Sequence, residues 1–251
     1  MAMSPRLLRP RATGFNPKSV SGLALWLDAA DASTIDTVSG AVSEWRDKST
    51  NGRHFTQSTA NNRPSYATTV NGRNAITFDG DNDVLFRSGA VSPTLLSSTD
   101  GATALYVFRP NSDTAFSVVN ACAAGVGHID RFSDGNTYHG NLRLARFEGV
   151  ANNLITSTGT QLIASRVQAA SNTHAIRRNK TQIHSGTSNL TAFRSGSPLN
   201  LAAGAGVASS TPTFQQHFNG EICEIILVAG PMDDAVFQSC ENYLAAKWGV
   251  N

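Results

Sequence analysis

Carboxylates and histidines are the residues that could do chemistry in this chain of 251 residues, and their spacing decides which chemistry. Asp79, Asp81 and Asp83 alternate within Phe78-Asp79-Gly80-Asp81-Asn82-Asp83. A calcium loop of the EF-hand type needs glycine at its sixth position and a bidentate glutamate at its twelfth. Counted from Asp79, those positions are Val84 and Ala90. The run therefore reads first as a tight turn whose carboxylates accept backbone N–H groups. Asp81 and Asp83 are the only metal candidates it offers, for a weak calcium site, and the expectation is no cofactor.

Retaining glycoside hydrolysis needs two carboxyl groups about 5 Å apart. Glu221 and Glu224 are three residues apart, which on a regular strand sends them to opposite faces. Asp28 and Asp31 flank a loop and have no strand partner. His54, His128, His139, His174, His184 and His217 form neither HxH nor HExxH. His174 and His184 flank Asn179-Lys180 and are candidate cross-strand neighbours, read as a surface pair before a metal site. The chain has no GxSxG elbow, P-loop or GxGxxG. Cys122, Cys223 and Cys240 are an odd set with no CxxC, read as buried small hydrophobes. No catalytic set is visible, and the expectation is a protein that is not an enzyme.

The elements that must position these residues read mainly as short strands. Segments 23–28, 42–47, 74–79, 83–88 and 103–110 are apolar or alternate, with turn residues between them. Segments 115–122, 141–148, 161–168, 173–178, 181–186, 199–204 and 221–229 continue the series, and Asn51-Gly52 is a turn signal. A dozen or more strands at this rhythm predict a β-sandwich or barrel. One helix is expected over 233–248, with Asp233 as its N-cap. Phe237, Cys240, Leu244 and Trp248 share one face of it, and Gly249 ends it.

Charge divides the chain into an arm and a body. Residues 1–20 carry Arg6, Arg9, Arg11 and Lys18 and no acid, leaving 16 basic against 18 acidic side chains in residues 21–251. A +4 arm thus precedes a −2 body. Pro5, Pro10 and Pro17 forbid a continuous helix in the arm, and Leu7, Leu8 and Phe15 cannot form a core alone. The arm is read as docked on another chain through Arg6, Leu7, Leu8, Arg9, Arg11 and Phe15. Nucleic-acid surfaces usually carry more charge and stacking aromatics, so nucleic acid is not the expected partner. The chain lacks the roughly 18 apolar residues of a membrane span, and residues 1–20 lack the apolar core of a secretory signal. No membrane partner is expected.

Four landmarks resemble the concanavalin A-like, laminin-G-like jelly-roll family in the version common in tailed-bacteriophage structural proteins. They are GLALWLDAADAST (22–34), EWRDKSTNGRHFTQ (44–57), NNRPSY with NGRNAITFDGDNDVL (61–66 and 71–85), and the stretch 218–249. The resemblance implies an all-β antiparallel sandwich with an extended N-terminal arm (1–20), one domain (21–251) and one short C-terminal helix. It implies a virion structural protein: a capsid decoration or cement protein, or a head or tail fibre component. Such a protein is made in the host cytoplasm and displayed on the particle surface. Its partners would be the major capsid protein or other virion proteins and further copies of itself, with a trimer as one arrangement. The alternative implied by the same fold is a lectin-like module for cell-surface glycans, including host polysaccharide. Loops 120–141 and 200–220 are rich in Gly, Ser, Thr and Asn, and Tyr138, His139 and Asn141 are candidates for contacting sugar hydroxyls. Trp26 and Trp45 are read as core anchors whose indole N–H groups need partners.

Overall fold

A computed structural model describes residues 14–87, 101–111, 118–122, 130–132, 138–140, 158–168, 171, 173–187, 200–207, 214–230 and 232–251. Its strands are β1 (Leu23–Asp28), β2 (Ile35–Val38), β3 (Ala41–Trp45), β4 (Phe55–Thr56), β5 (Ser65–Val70) and β6 (Arg73–Asp79). Then come β7 (Leu85–Arg87), β8 (Ala102–Pro110), β9 (Val119–Cys122), β10 (Asp130–Phe132), β11 (Tyr138–Gly140) and β12 (Gln161–Gln168). The last are β13 (Thr173–Arg178), β14 (Thr181–Thr187), β15 (Asn200–Ala203), β16 (Gly206–Val207), β17 (Phe214–Gln215) and β18 (Asn219–Ala229), followed by helix α1 (Asp234–Trp248).

One antiparallel path runs β14-β13-β12-β8-β18-β6-β5-β3-β4-β7-β15-β9, with β1 added beside β18 and β2 beside β3. The path folds over on itself. Trp45, Phe55, Leu85, Val119 and Leu201 from one half meet Tyr106, Phe108, Ile163, Ile225 and Leu227 from the other in a single buried cluster. The architecture is the expected all-β sandwich of jelly-roll type. Where the expected strands fall on described residues, they lie within a few positions of those observed. Segment 141–148 lies outside the described residues.

A second cluster covers the outer side of β1, β8, β12 and β18. There Trp26, Leu105, Val107, Ala164 and Ile226 pack against Phe237, Cys240, Leu244 and Trp248 of α1. These strands are thus buried on both faces, which is why β1 reads LALWLD and β18 reads NGEICEIILVA without alternation. In contrast, β5 reads SYATTV with exposed positions at every second residue, as a strand with one wet face should. Its small polar residues hid it from sequence reading. Asn51-Gly52 belongs to a longer loop, where the Asn51 amide donates to the Leu23 and Ala24 carbonyls at 3.0 and 3.1 Å. The tight hairpin turn is Asn71-Gly72, with φ of 50° and 70°.

Helix α1 buries the expected face. Asp233 occupies the N-cap position, but its side chain makes no capping bond. Asp234 instead pairs with Arg166 at 2.6 Å. Gly249 closes the helix in the left-handed region at φ 69°, where a side chain is disfavoured. Among the described residues no helix is long and apolar enough to cross a membrane.

Candidate functional site

Beneath α1 lies a buried ionic network. Glu224 is fully buried and its two oxygens accept four donors: Trp26 Nε1 at 2.7 Å, Trp248 Nε1 at 2.8 Å, Tyr243 OH at 2.9 Å and Lys247 Nζ at 2.7 Å. Lys247 also reaches Asp28 at 2.6 Å, and Asp28 takes Lys48 at 2.8 Å. Lys48 continues to Asp31 at 2.7 Å and lies 4.2 Å from the centre of the Trp26 ring. The hydrogen bond from Lys48, helped by Ser33, holds the Asp31 carboxyl down at about 2. Burial, with Asp28 beside it, pushes the Glu224 carboxyl up, while Lys247 pulls the other way. Burial and Glu224 push the Tyr243 phenol up strongly.

The position of Glu224 corrects the sequence expectation. A bulge between Ile222 and Glu224 shifts the pairing with β8 by one residue. Cys223 and Glu224 then both face the helix side, and Glu221 faces it too, opposite Arg109. The two glutamates share a face rather than opposing one another. Both are engaged: Glu221 pairs with Arg109 at 2.9 Å, and both oxygens of Glu224 accept donors.

The network anchors the wall of an open groove of about 700 Å³. Its lining comes from three places: Gly14 and Phe15, Arg73 at the start of β6, and Ser239, Asn242, Tyr243, Ala246 and Lys247 on α1. The Phe15 and Tyr243 rings are 5.9 Å apart and tilted by 53°. Arg73 donates from Nε to the Lys247 carbonyl at 2.9 Å, and Asn71 donates to the same oxygen at 3.2 Å. The tyrosine hydroxyl is turned into the network, so the ring forms the apolar part of the wall. Exposed Asn242 and Arg73 supply the polar part. Such a mixture of flat apolar surface and a few fixed polar groups suits a small polar ligand.

The structure places the sequence-predicted residues unevenly. Phe15 is in the groove. Arg6, Leu7, Leu8, Arg9 and Arg11 lie outside the described residues, as does Asn141. The backbones of Tyr138 and His139 are in β11, opposite Phe132 and Arg131 of β10. Asp81 is exposed in its turn, where the Asn82 amide donates to it at 3.2 Å. Asp83 is buried and accepts the Asp79 N–H at 3.0 Å. Asp79 accepts the N–H groups of Asp81 and Asn82. These carboxylates do the expected turn chemistry, and burial with Asp79 nearby raises the Asp83 carboxyl to about 6. Among the described residues no three His, Cys, Asp or Glu side chains converge as a metal site.

Arg73, Asn242, Tyr243 and Lys247 were not read as site residues from sequence. The available signal was Tyr243, an aromatic next to Asn242 on a helix whose apolar face is already complete without it. Trp26 finds the partner expected for its indole in Glu224. Trp45 is fully buried, and its indole N–H has no hydrogen-bond partner among the described residues.

No protein-family model matches the chain, and no curated protein matches it in sequence. Solved structures do match in fold. The binding domain of botulinum neurotoxin serotype D/C superposes with a TM-score of 0.57 at 10% identity, over 91% of this chain and 53% of that one. The binding domain of Paraclostridial Mosquitocidal Protein 1 gives 0.58 at 13% identity, over 90% and 53%. An arabinofuranosidase complexed with arabinofuranosyl-alpha-1,2-xylobiose gives 0.53 at 16% identity, over 92% and 60%. The chain spans about half the length of the toxin binding domains. At these identities the likeness is one of fold.

Proposed function

We propose that the chain is a binding module without catalytic activity, which takes a cell-surface glycan in the groove between Phe15 and α1. The observation that carries this reading is the groove itself, a fixed aromatic wall of Phe15 and Tyr243 beside exposed Asn242 and Arg73. Sugars bind by stacking their C–H faces on such rings while polar side chains take their hydroxyls. The fold supports the reading, since it is shared with toxin binding domains. One of them, the binding domain of botulinum neurotoxin DC, was solved both with SialylT and with rat synaptotagmin II. The engaged states of Glu221 and Glu224 support a binder over a hydrolase. The test is a glycan array probed with the intact chain and with Ala246→Trp, which fills the groove from an exposed position. Binding by the parent and loss in the variant are expected. No binding by the parent, with or without calcium, overturns the reading.

A second reading is favoured by how residues 14–20 are held. Phe15 packs on Tyr243, Pro17 is buried, and Val20 joins the cluster under α1. A segment pinned this firmly can transmit a load from residues 1–13 to the sandwich. That would suit a phage virion component, displayed on the particle surface and anchored by Arg6, Leu7, Leu8, Arg9 and Arg11 to the capsid protein or to further copies in a trimer. Deleting residues 1–13 should then abolish incorporation into particles, and normal incorporation would sink it. The two readings are compatible, since a displayed module can also bind polysaccharide.

A further inference from the structure

We propose that the groove selects an acidic sugar, a hexuronic or sialic acid residue, whose carboxylate is read by Arg73. This inference rests on the glycan-binding reading and names the class of glycan. It follows from where the charges near the groove are spent. Lys247 lines the groove, but its ammonium is turned inward onto Asp28 and Glu224. Lys48 behind it is likewise held by Asp28 and Asp31. Arg73 differs, because it is exposed and has no carboxylate partner among the described residues.

Among the described residues only its Nε–H is engaged, on the Lys247 carbonyl at 2.9 Å. That bond places the guanidinium at the negative end of the α1 dipole and turns its Nε edge toward the helix end. The two terminal amino groups have no hydrogen-bond partner among the described residues. A guanidinium fixed through Nε presents those amino groups as a fork, which matches the two oxygens of a carboxylate. Phe15 and Tyr243, on the same groove, offer the surface on which the ring of that sugar would lie. The body of the chain, residues 21–251, is net negative, so long-range attraction does not favour an anion. Selectivity would come from Arg73 locally.

The experiment compares acid and neutral forms of the same sugar on the full chain by calorimetry. The pairs are oligogalacturonate, oligoguluronate and 3′-sialyllactose, each with its own methyl ester. At least one acid should bind about tenfold more tightly than its neutral partner, the factor expected from a charge-assisted pair. Arg73→Ala should bring that ratio close to one, and Arg73→Lys should restore part of it while losing the bidentate geometry. Three results overturn the inference: no acid exceeding its partner, a ratio unchanged by Arg73→Ala, or Lys substituting fully. If neutral sugars bind as well as acids and Ala246→Trp removes both, the acidic class is wrong and the glycan groove stands. If Ala246→Trp changes no binding at all, the groove reading itself fails.

Discussion

His174 and His184 meet nose to nose across adjacent strands, with their Nε2 atoms 2.8 Å apart. Their ring centres are 4.9 Å apart and their planes differ by 18°. That separation is nearly the nitrogen gap plus both ring radii, so the rings point at each other. A single hydrogen serves the pair, donated by one Nε2 and accepted by the other. The bulge in the pairing of β13 with β14 sets His184 opposite Ile176 and leaves Gly186 opposite His174. Two protonated rings would place two N–H groups in one gap.

The consequence is acid sensitivity. Burial and the neighbouring His184 hold His174 down at about 4, and burial lowers His184 as well. The unfolded chain takes up protons near pH 6.5, before the folded chain does. Stability is therefore expected to fall as pH drops from about 6.5 to 4, by at most about 3 kcal/mol for His174. Urea unfolding across this window checks it. A His174→Gln variant should flatten that slope, and an unchanged slope would remove the pair from the account.

Asp83 has the opposite sign. Its folded value of about 6 lies above the ordinary carboxylate value of 3.8. Its contribution is present at low pH and is lost as pH rises through 6. Asp83→Asn keeps an acceptor for the Asp79 N–H and removes the buried charge. It should raise the melting temperature at pH 7.5, with the gain shrinking to nothing near pH 4. A variant less stable at pH 7.5 would show that the ionised carboxylate is needed.

Removing Glu224 should be among the costliest single changes. Glu224→Ala leaves two indole N–H groups and the Lys247 ammonium without their shared acceptor. Breaking a buried ion pair from one side costs about 3–5 kcal/mol. Glu224→Gln keeps two acceptor positions at most and should cost less. Denaturant midpoints rank them, and equal loss in both variants would argue for charge alone over hydrogen bonding.

Gly22 and Gly14 form a matched pair of backbone tests. Gly22 has φ 76°, and a Cβ there would collide with the Ala229 carbonyl of the paired strand. Gly22→Ala should cost about 2 kcal/mol or more. A Cβ on Gly14, at the groove wall, meets nothing within 4 Å, so Gly14→Ala should be neutral in thermal melting. Equal melting temperatures for both variants would contradict the close packing of β1 on β18.

Much of the scaffold is legible in sequence because burial writes a local pattern. LALWLD announces a strand with both faces covered, and Phe237, Cys240, Leu244 and Trp248 announce the helix that covers one of them. The candidate site is not legible in this way. Phe15, Arg73 and Tyr243 come from segments far apart, and only the fold brings them to one groove. The bulge at Cys223 is equally silent, since nothing in EICEII marks where the alternation slips. Trp26 is a middle case. Its need for a polar partner can be read, but Glu224, 198 residues away, can be named only from the structure.

The pairing of β1 with β18 also sets an order of events. Leu25 pairs with Leu227, so β1 waits for the synthesis of β18, far along the chain. At roughly 5–20 residues per second the wait is roughly 10–40 s, during which β1 has the Asp47 and Lys48 loop contacts on Trp26 but no paired strand. Closure of the sandwich around β1 therefore waits until β18 has been made. Until then the nascent chain carries LALWLD without the strand that pairs with it.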